Sequence, residues 1–419
     1  MEIYKFGGAS VKDAAGIRNL AQIVENTNQE PLVVVVSAMG KTTNQLEKIH
    51  SAYDAGSQDN ALLELQQLER YHFDVLNQLI EGDDQAAAHS KLNAIFQELK
   101  TYLTSLIDTH FDKTYDKIVS YGEVLSTTIV SLYLNHIKCS NTLLDMRQLL
   151  ITDNQYRDAN INYDESARRI KASVSNCTTP IIIVQGFIGG TIDNQPTTLG
   201  REGSDYTAAM LANILDAKRV TIWKDVPGVL NADPKLFDNT VHIPEMTYSE
   251  AVELAFSGAQ IIHPKTIRPL ENKGIALFVK PFTDPQNAGT VIKRQIAKPI
   301  NVPVYIVRKN QVLLTIRPKD FSFVLESTLP KLFTIIEQNK LKVSLIQSSA
   351  ITISVSVDNS RNLFAAIEQL QKDYQVSYND GLTLLTVRGT TPQIIKEVEQ
   401  DKEILLKQTT RRTIKLLYR

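Results

Sequence analysis

The chain has 419 residues, 43% hydrophobic and 22% charged, enough to bury two or three cores. A net charge of −1 gives no electrostatic footprint for nucleic acid or an anionic membrane. Cys139 and Cys177 have no metal-ligand spacing, no apolar run reaches membrane length, and the start Met1-Glu-Ile-Tyr-Lys5 lacks the build of a signal peptide. The expectation is a cytoplasmic protein with neither nucleic-acid nor membrane partners.

Glu2 to Phe6 alternates in polarity and predicts a short strand, which Gly7-Gly8 ends. Glycines let backbone N–H groups approach an anion closely, and Lys5 adds a positive charge; the same residues also read as a strand with an ordinary turn. Asp13 to Val24 has helical spacing (Ile17, Leu20, Ala21, Val24), and the apolar run Pro31 to Ser37 predicts a strand buried on both faces of a parallel sheet. Together they make a βαβ unit ending in the polar loop Ser37 to Asn44. Gly40-Lys41-Thr42 is not a P-loop, since that fingerprint needs glycine where Val35 stands.

Residues 45 to 115 are helix-rich, with core-type stripes at Leu62, Leu65, Leu68, at Phe73, Leu76, Leu79, and at Leu92, Ile95, Phe96, Leu99, Leu103, Leu106. Glu123 falls in the first turn of a helix running through Val124 to Tyr133, where the dipole favours a carboxylate with or without a ligand. Pro180 to Gln185 reads as a second buried strand. It leads through Gly186-Phe-Ile-Gly-Gly190 to the segment Thr197 to Ala209. There Arg201, at a glycine-rich helix start, suits a carboxylate or phosphate, and Ser204 or Asp205 is a natural N-cap. A third strand, Arg219 to Trp223, runs into the long loop from Lys224 to Pro234. A helix over Tyr248 to Phe256 and a strand over Ala276 to Lys280 follow. His263, before a proline and without a His or Cys neighbour, reads as structural.

Near Lys298 the pattern changes to α+β. Short strands are expected at Val304 to Val307, Val312 to Ile316, Val343 to Gln347, Ile351 to Val357, Val376 to Tyr378, Leu382 to Val387, Ile404 to Lys407 and Thr413 to Leu417. Helices are expected at Leu329 to Gln338 and Leu363 to Leu370, and the segment Pro392 to Val398 lies between the last strands.

Five of these stretches, in this order, closely resemble aspartate kinase: Lys5-Phe-Gly-Gly-Ala-Ser-Val11, Ser37-Ala-Met-Gly-Lys-Thr-Thr-Asn44, Gln185-Gly-Phe-Ile-Gly189, Thr198-Leu-Gly-Arg-Glu-Gly-Ser-Asp205 and Trp223-Lys-Asp-Val-Pro-Gly228. Phe256 to Pro264 extends the match, which covers roughly residues 1 to 295; the remainder resembles the family's ACT regulatory region more loosely. The resemblance implies an α/β amino-acid-kinase fold, a parallel-rich sheet sandwiched by helices. It spans 1–297 with a helical insertion near 45–115. A ferredoxin-like ACT region follows at 298–419, its second module truncated. It also implies transfer of the γ-phosphoryl of Mg-ATP (ATP with Mg2+) to the side-chain carboxylate of L-aspartate, giving 4-phospho-L-aspartate, and a homodimer or higher oligomer through the ACT region.

The roles carried over are these. Lys5 neutralises charge on the moving phosphoryl, Gly7 and Gly8 donate N–H groups, and Asp205 orients the catalytic lysine. Arg201 takes the α-carboxylate and Glu123 the ammonium of aspartate; Thr43 and Ser204 donate hydroxyl hydrogen bonds, and Ser37 and Phe187 shape the pocket. Lys224, Asp225, Leu230, Lys235 and Gln260 face the nucleotide, and no protein metal site is implied.

Departures from the family pattern qualify this. Threonine is usual at Lys224, glycine at Glu202, tyrosine at Leu230 and lysine at Gln260, so Lys224 is expected to restore the charge missing at 260. Ser344 and Ala350 stand where lysine-sensing members carry carboxylates, and Ser327-Thr-Leu-Pro330 replaces a usual Gly-Phe; weak or absent lysine feedback is expected. The competing readings are a kinase for acetylglutamate, glutamate, carbamate or a nucleotide, and a catalytically silent amino-acid sensor.

Overall fold

Leu32-Val-Val-Val-Val36 is apolar at every position because both faces of the strand are covered, and all five residues are buried. The structure, a computed structural model, describes residues 1–27, 31–105, 108–259, 261–320 and 324–419, without the side chains of 324–327. Leu106 and Gln260 lie outside the described residues.

The chain begins β1 (Glu2–Phe6), α1 (Ala14–Glu25), β2 (Leu32–Val36), α2 (Thr42–Asp54), α3 (Gln58–Leu79), α4 (Asp83–Thr104), α5 (Phe111–Val119) and α6 (Tyr121–His136). It continues β3 (Asn141–Leu144), α7 (Met146–Leu149), β4 (Ile151–Thr152), α8 (Tyr163–Ser175), β5 (Ile181–Gln185), β6 (Ile188–Thr191), β7 (Pro196–Thr198), α9 (Gly203–Ile214) and β8 (Arg219–Lys224). Next come β9 (Val229–Leu230), β10 (His242–Ile243), β11 (Glu245–Thr247), α10 (Tyr248–Ser257), α11 (Pro264–Lys273), β12 (Ala276–Pro281) and β13 (Thr290–Lys293). The last elements are β14 (Val304–Pro318), α12 (Val324–Gln338), β15 (Val343–Ser348), β16 (Ile353–Asp358), α13 (Leu363–Asp373), β17 (Tyr374–Arg388), α14 (Pro392–Glu399), β18 (Ile404–Thr409) and β19 (Thr413–Tyr418).

Two compact units result. The first holds Met1–Val229, His242–Val252 and Ile262–Ala297; the second holds Leu230–Val241, Glu253–Ile261 and Lys298–Arg419. In the first, eight strands lie in the order β11-β13-β12-β8-β1-β2-β5-β3. Pairing is parallel except where β13 runs antiparallel to β12. Phe6 stands beside Val36 and Trp223, and Val36 beside Gln185, so β8, β1, β2 and β5 end together along one edge. Ligand crevices of such sheets open beyond the carboxyl ends of their strands. The helical insertion packs on α1 and α6 through Leu65, Leu68, Leu76, Phe96 and Leu99 in one hydrophobic core that also includes Phe6 and Val34.

His72 is a buried exception in that apolar wall. Its Nδ1 hydrogen-bonds the Leu68 carbonyl at 2.8 Å, and its Nε2 is buried without a partner among the described residues. Burial pushes its pKa down to about 4, against the raising effect of the Leu68 bond. The folded chain therefore favours neutral histidine, and stability is lost as pH falls from 6.5 through about 4. The expected loss reaches about 3 to 4 kcal/mol at 1.4 kcal/mol per unit. Urea unfolding of wild type and His72→Leu across that range checks this: the stability of wild type relative to the variant should fall by that amount as pH falls, and a pH-independent difference would refute it.

The second unit is built on a six-stranded antiparallel sheet, β15-β16-β14-β17-β19-β18. Sequence reading divides 304–316 into two short strands and does the same with 376–387. The structure instead joins each into one strand of 15 residues, with β14 pairing β17 from Val304↔Arg388 to Pro318↔Tyr374. The interruption read as a break is a bulge with register shifts between Arg308 and Leu313, where Asn310 takes a φ of 56°. Asp358 pins it by accepting from Arg308 at 2.6 and 2.7 Å and from Gln311 at 2.6 Å. Each long strand serves two α/β layers. Val312, Leu314 and Ile316 pack under α12 and α13, and Leu385 and Val387 pack with Ile394, Ile395 and Val398 of α14.

Candidate active site

Beyond the ends of β1, β2, β5 and β8 lies a cleft of about 620 Å³, lined by residues of the first unit. It gathers Lys5, Gly8, Ser37, Thr43, Glu123, Phe187, Arg201, Ser204, Asp205 and Lys224 from the residues singled out by sequence. Gly7 and Asp225 flank lining residues without joining the lining. Leu230 and Lys235 belong to the second unit, where the Lys235 N–H donates to Asp233 Oδ1 at 2.9 Å.

Close backbone packing sets the floor. A Cβ on Gly8 would stand 2.6 Å from the Ala38 carbonyl oxygen, so only glycine fits against the loop after β2, and the Gly40 N–H donates to the Gly8 carbonyl at 2.9 Å. Gly186 likewise leaves room for Ser204, whose Cβ would be 2.5 Å from an added Cβ.

Lys5 and Asp205, both buried, form the centre of the charge arrangement. Lys5 Nζ lies 2.6 Å from Asp205 Oδ1, and Lys224 Nζ lies 3.8 Å from Oδ2. Burial raises the Asp205 pKa, but the two ammonium groups outweigh it and hold the carboxyl below its usual range. Sequence reading offers Ser204 or Asp205 as the N-cap of α9. The structure places the cap at Glu202, with both residues inside the first turn, because the chain turns left-handed at 202 and helical geometry starts at Gly203. That frees Asp205 to face Lys5.

Glu123 is fully buried in the first turn of α6. Its Oε1 accepts the Ala38 N–H at 3.0 Å, while Oε2 has no hydrogen-bond partner among the described residues. Burial pushes its pKa up to about 8, opposed by the Ala38 and its own N–H groups and by Lys5. A buried carboxylate with one empty oxygen on a cleft wall suits an incoming ammonium group. Arg201, in contrast, is exposed and has no ion-pair partner among the described residues.

Three non-glycine residues on the lining are left-handed: Arg157 (φ 70°), Phe187 (φ 66°) and Glu202 (φ 54°). Each such residue costs on the order of 1 kcal/mol, and such strain gathers at functional sites. The strain at 202 accounts for the glycine usual in the resembled family; here the Glu202 carboxylate accepts the His263 N–H at 2.7 Å. His263 itself caps α11 by accepting from the Lys265 N–H at 3.2 Å, consistent with its reading as structural.

Sequence reading missed Tyr115, Arg157 and Thr198 of the lining. They are tied together by Asp116, a fully buried carboxylate of α5. It accepts the Arg157 N–H at 2.9 Å, the Thr198 N–H at 2.8 Å and the Thr198 hydroxyl at 2.7 Å. Burial raises its pKa to about 6 despite those bonds. The contacts join residues 41 and 82 positions apart; Thr198 opens a stretch singled out by sequence, but no local motif announces Tyr115, Arg157 or their tie to it through Asp116.

The sequence pattern of the amino acid kinase family matches residues 1–281. Aspartokinase 1, chloroplastic, of Arabidopsis thaliana is 31% identical over 405 residues, 92% of this chain and 70% of that protein. Lysine-sensitive aspartokinase 3 of Escherichia coli is 27% identical over 92% of this chain and 86% of its own length. The solved structure of E. coli aspartokinase III in complex with aspartate and ADP superposes with a TM-score of 0.86 at 26% identity, covering 100% of this chain and 96% of that one. On its matched pattern, its relatives and its fold, the chain belongs to the amino acid kinase family, in the aspartokinase branch.

Proposed function

We propose that this chain transfers the γ-phosphoryl of Mg-ATP to the side-chain carboxylate of L-aspartate, releasing ADP and 4-phospho-L-aspartate. The observation that carries the reading is the cleft itself: a lysine–aspartate pair, a buried carboxylate with an empty oxygen and an unpaired arginine along one wall system. The relative crystallised with aspartate and ADP supports it.

Aspartate enters with its side-chain carboxylate already ionised, so a carboxylate oxygen attacks the γ-phosphorus without a base. The bond from that phosphorus to the β–γ bridging oxygen breaks, and ADP leaves with the electron pair. Lys5, held by Asp205, faces the charge that builds on the moving phosphoryl, and Lys224 shares that field from 3.8 Å. Glu123 receives the substrate ammonium and Arg201 the α-carboxylate, with Thr43 and Ser204 as hydroxyl donors. Asp225, Leu230, Lys235 and Gln260 are assigned to the nucleotide by family likeness. Mg2+ arrives with the nucleotide.

The two cysteines are free and half-buried, which supports a reducing cytoplasmic setting. No helix among the described residues is long and apolar enough to cross a membrane. An oligomer through the second unit is supported by its open edge strands β15 and β18.

The test is ADP release with L-aspartate, L-glutamate and N-acetyl-L-glutamate in parallel, the acyl phosphate being trapped as a hydroxamate. Aspartate-dependent turnover is expected. Preference for either other acceptor refutes the assignment. In the same assay millimolar lysine should leave the rate unchanged, because Ser344 offers a hydroxyl in place of a carboxylate.

A further inference from the structure

We infer that Arg157 is a second substrate-holding guanidinium, which with Arg201 sets the preference for an acceptor bearing a free α-carboxylate. The inference rests on the aspartate reading and names a specificity element within that site.

Arg157 lines the cleft although its loop contributes no other recognised site residue. Its backbone is fixed in the left-handed region by the N–H bond to Asp116, and the same carboxylate holds Thr198, three residues before Arg201. The two arginines therefore sit on adjoining turns. A Cβ on Gly200 would stand 3.2 Å from the Arg157 carbonyl oxygen and 2.6 Å from Asp158 Oδ1.

The side chain is held but not used up. Its guanidinium carbon stands over the rings of Tyr115 and Phe111, 4.2 and 5.8 Å from their centres, contacts that occupy a face of the cation rather than its N–H donors. Its ion pair, to Asp112 at 3.3 Å, is open to water, with the two side chains 42% and 51% exposed. Such an exposed pair contributes little and is easily exchanged for a better anion. A substrate carboxylate in the cleft is that anion, since a guanidinium binds it as a fork. Lys5 and Lys224 are committed to Asp205, which leaves Arg157 and Arg201 as the lining cations for the substrate's own charge.

The test compares wild type, Arg157→Gly and Arg157→Lys with L-aspartate and with its α-amide, L-isoasparagine. Glycine removes the guanidinium while suiting a φ of 70°, so the loop keeps its course. Arg157→Gly should raise the KM for aspartate about tenfold or more, the loss of one charge-assisted contact, with kcat within about threefold and the KM for ATP unchanged. The preference for aspartate over isoasparagine should fall by a similar factor, and Arg157→Lys should recover part of it. A purely structural role would instead lower kcat and the unfolding temperature in both variants. An aspartate KM and a preference within twofold of wild type in Arg157→Gly overturn the inference while leaving the aspartate reading intact. A wild-type enzyme without aspartate-dependent ADP release overturns both.

Discussion

Lys5→Ala is expected to lower aspartate-dependent kcat by about two orders of magnitude or more, as for loss of one preorganised transition-state contact. Lys5 sits at the end of β1, between β2 and β8, buried and 2.6 Å from Asp205. No solvent ion replaces it at that distance. Asp205→Asn should fall nearly as far by releasing the Lys5 ammonium, and the double variant should cost little more than either alone. Lys224→Thr separates the two lysines. If Lys224 shares the phosphoryl charge, kcat drops about tenfold with the KM for aspartate unchanged. Steady-state kinetics with both substrates varied distinguishes these results, and near-wild-type turnover of Lys5→Ala would end the assignment.

Glu123→Gln should raise the KM for aspartate by about a hundredfold, as expected for removing a charged partner from a buried ammonium site. The same substitution should stabilise the empty protein. With a folded pKa of about 8 against 4.5 for the free side chain, folded Glu123 keeps its proton where the unfolded chain has lost it. That part of the stability is complete below pH 4.5 and drains as pH rises through 8, by up to about 5 kcal/mol. Glutamine does not titrate, so the variant's advantage grows across that window and levels off above it. Substrate works in the other direction: an ammonium group at Oε2 favours the ionised form, so aspartate binding expels a proton below pH 8. Unfolding midpoints of both proteins with and without aspartate, from pH 5 to 9, check both halves. A constant gap would show that Glu123 is ionised throughout.

Most of the first unit was legible because its parallel sheet is written in local patterns. Val33 to Val36 and Ile181 to Val184 are apolar at every position, and the segments directly after them carry Ser37 and Thr43 in the one case and Phe187 in the other. What escaped is held by distance. Asp116 ties Arg157 to Thr198 across the insertion, and nothing in Tyr156-Arg157-Asp158 signals a cleft wall. The N-cap of α9 was misread for a related reason. Serine and aspartate are the usual caps, but here a left-handed Glu202 caps the helix two residues before Ser204, and Asp205 answers to Lys5. In the second unit the bulge at Asn310 looked like a loop because bulge residues and turn residues share left-handed backbone.

β14 and β17 bear on how the second unit comes apart. Each runs without a break beneath α12 and α13 and on to the layer of α14, so neither half has a complete sheet of its own. Melting one half strips the other of two central strands. The pair should exchange its amide hydrogens as a single late-opening block, while edge strands β15 and β18 exchange first. Anything bound at one end of those strands would be felt at the other as a change in the protection of shared amides.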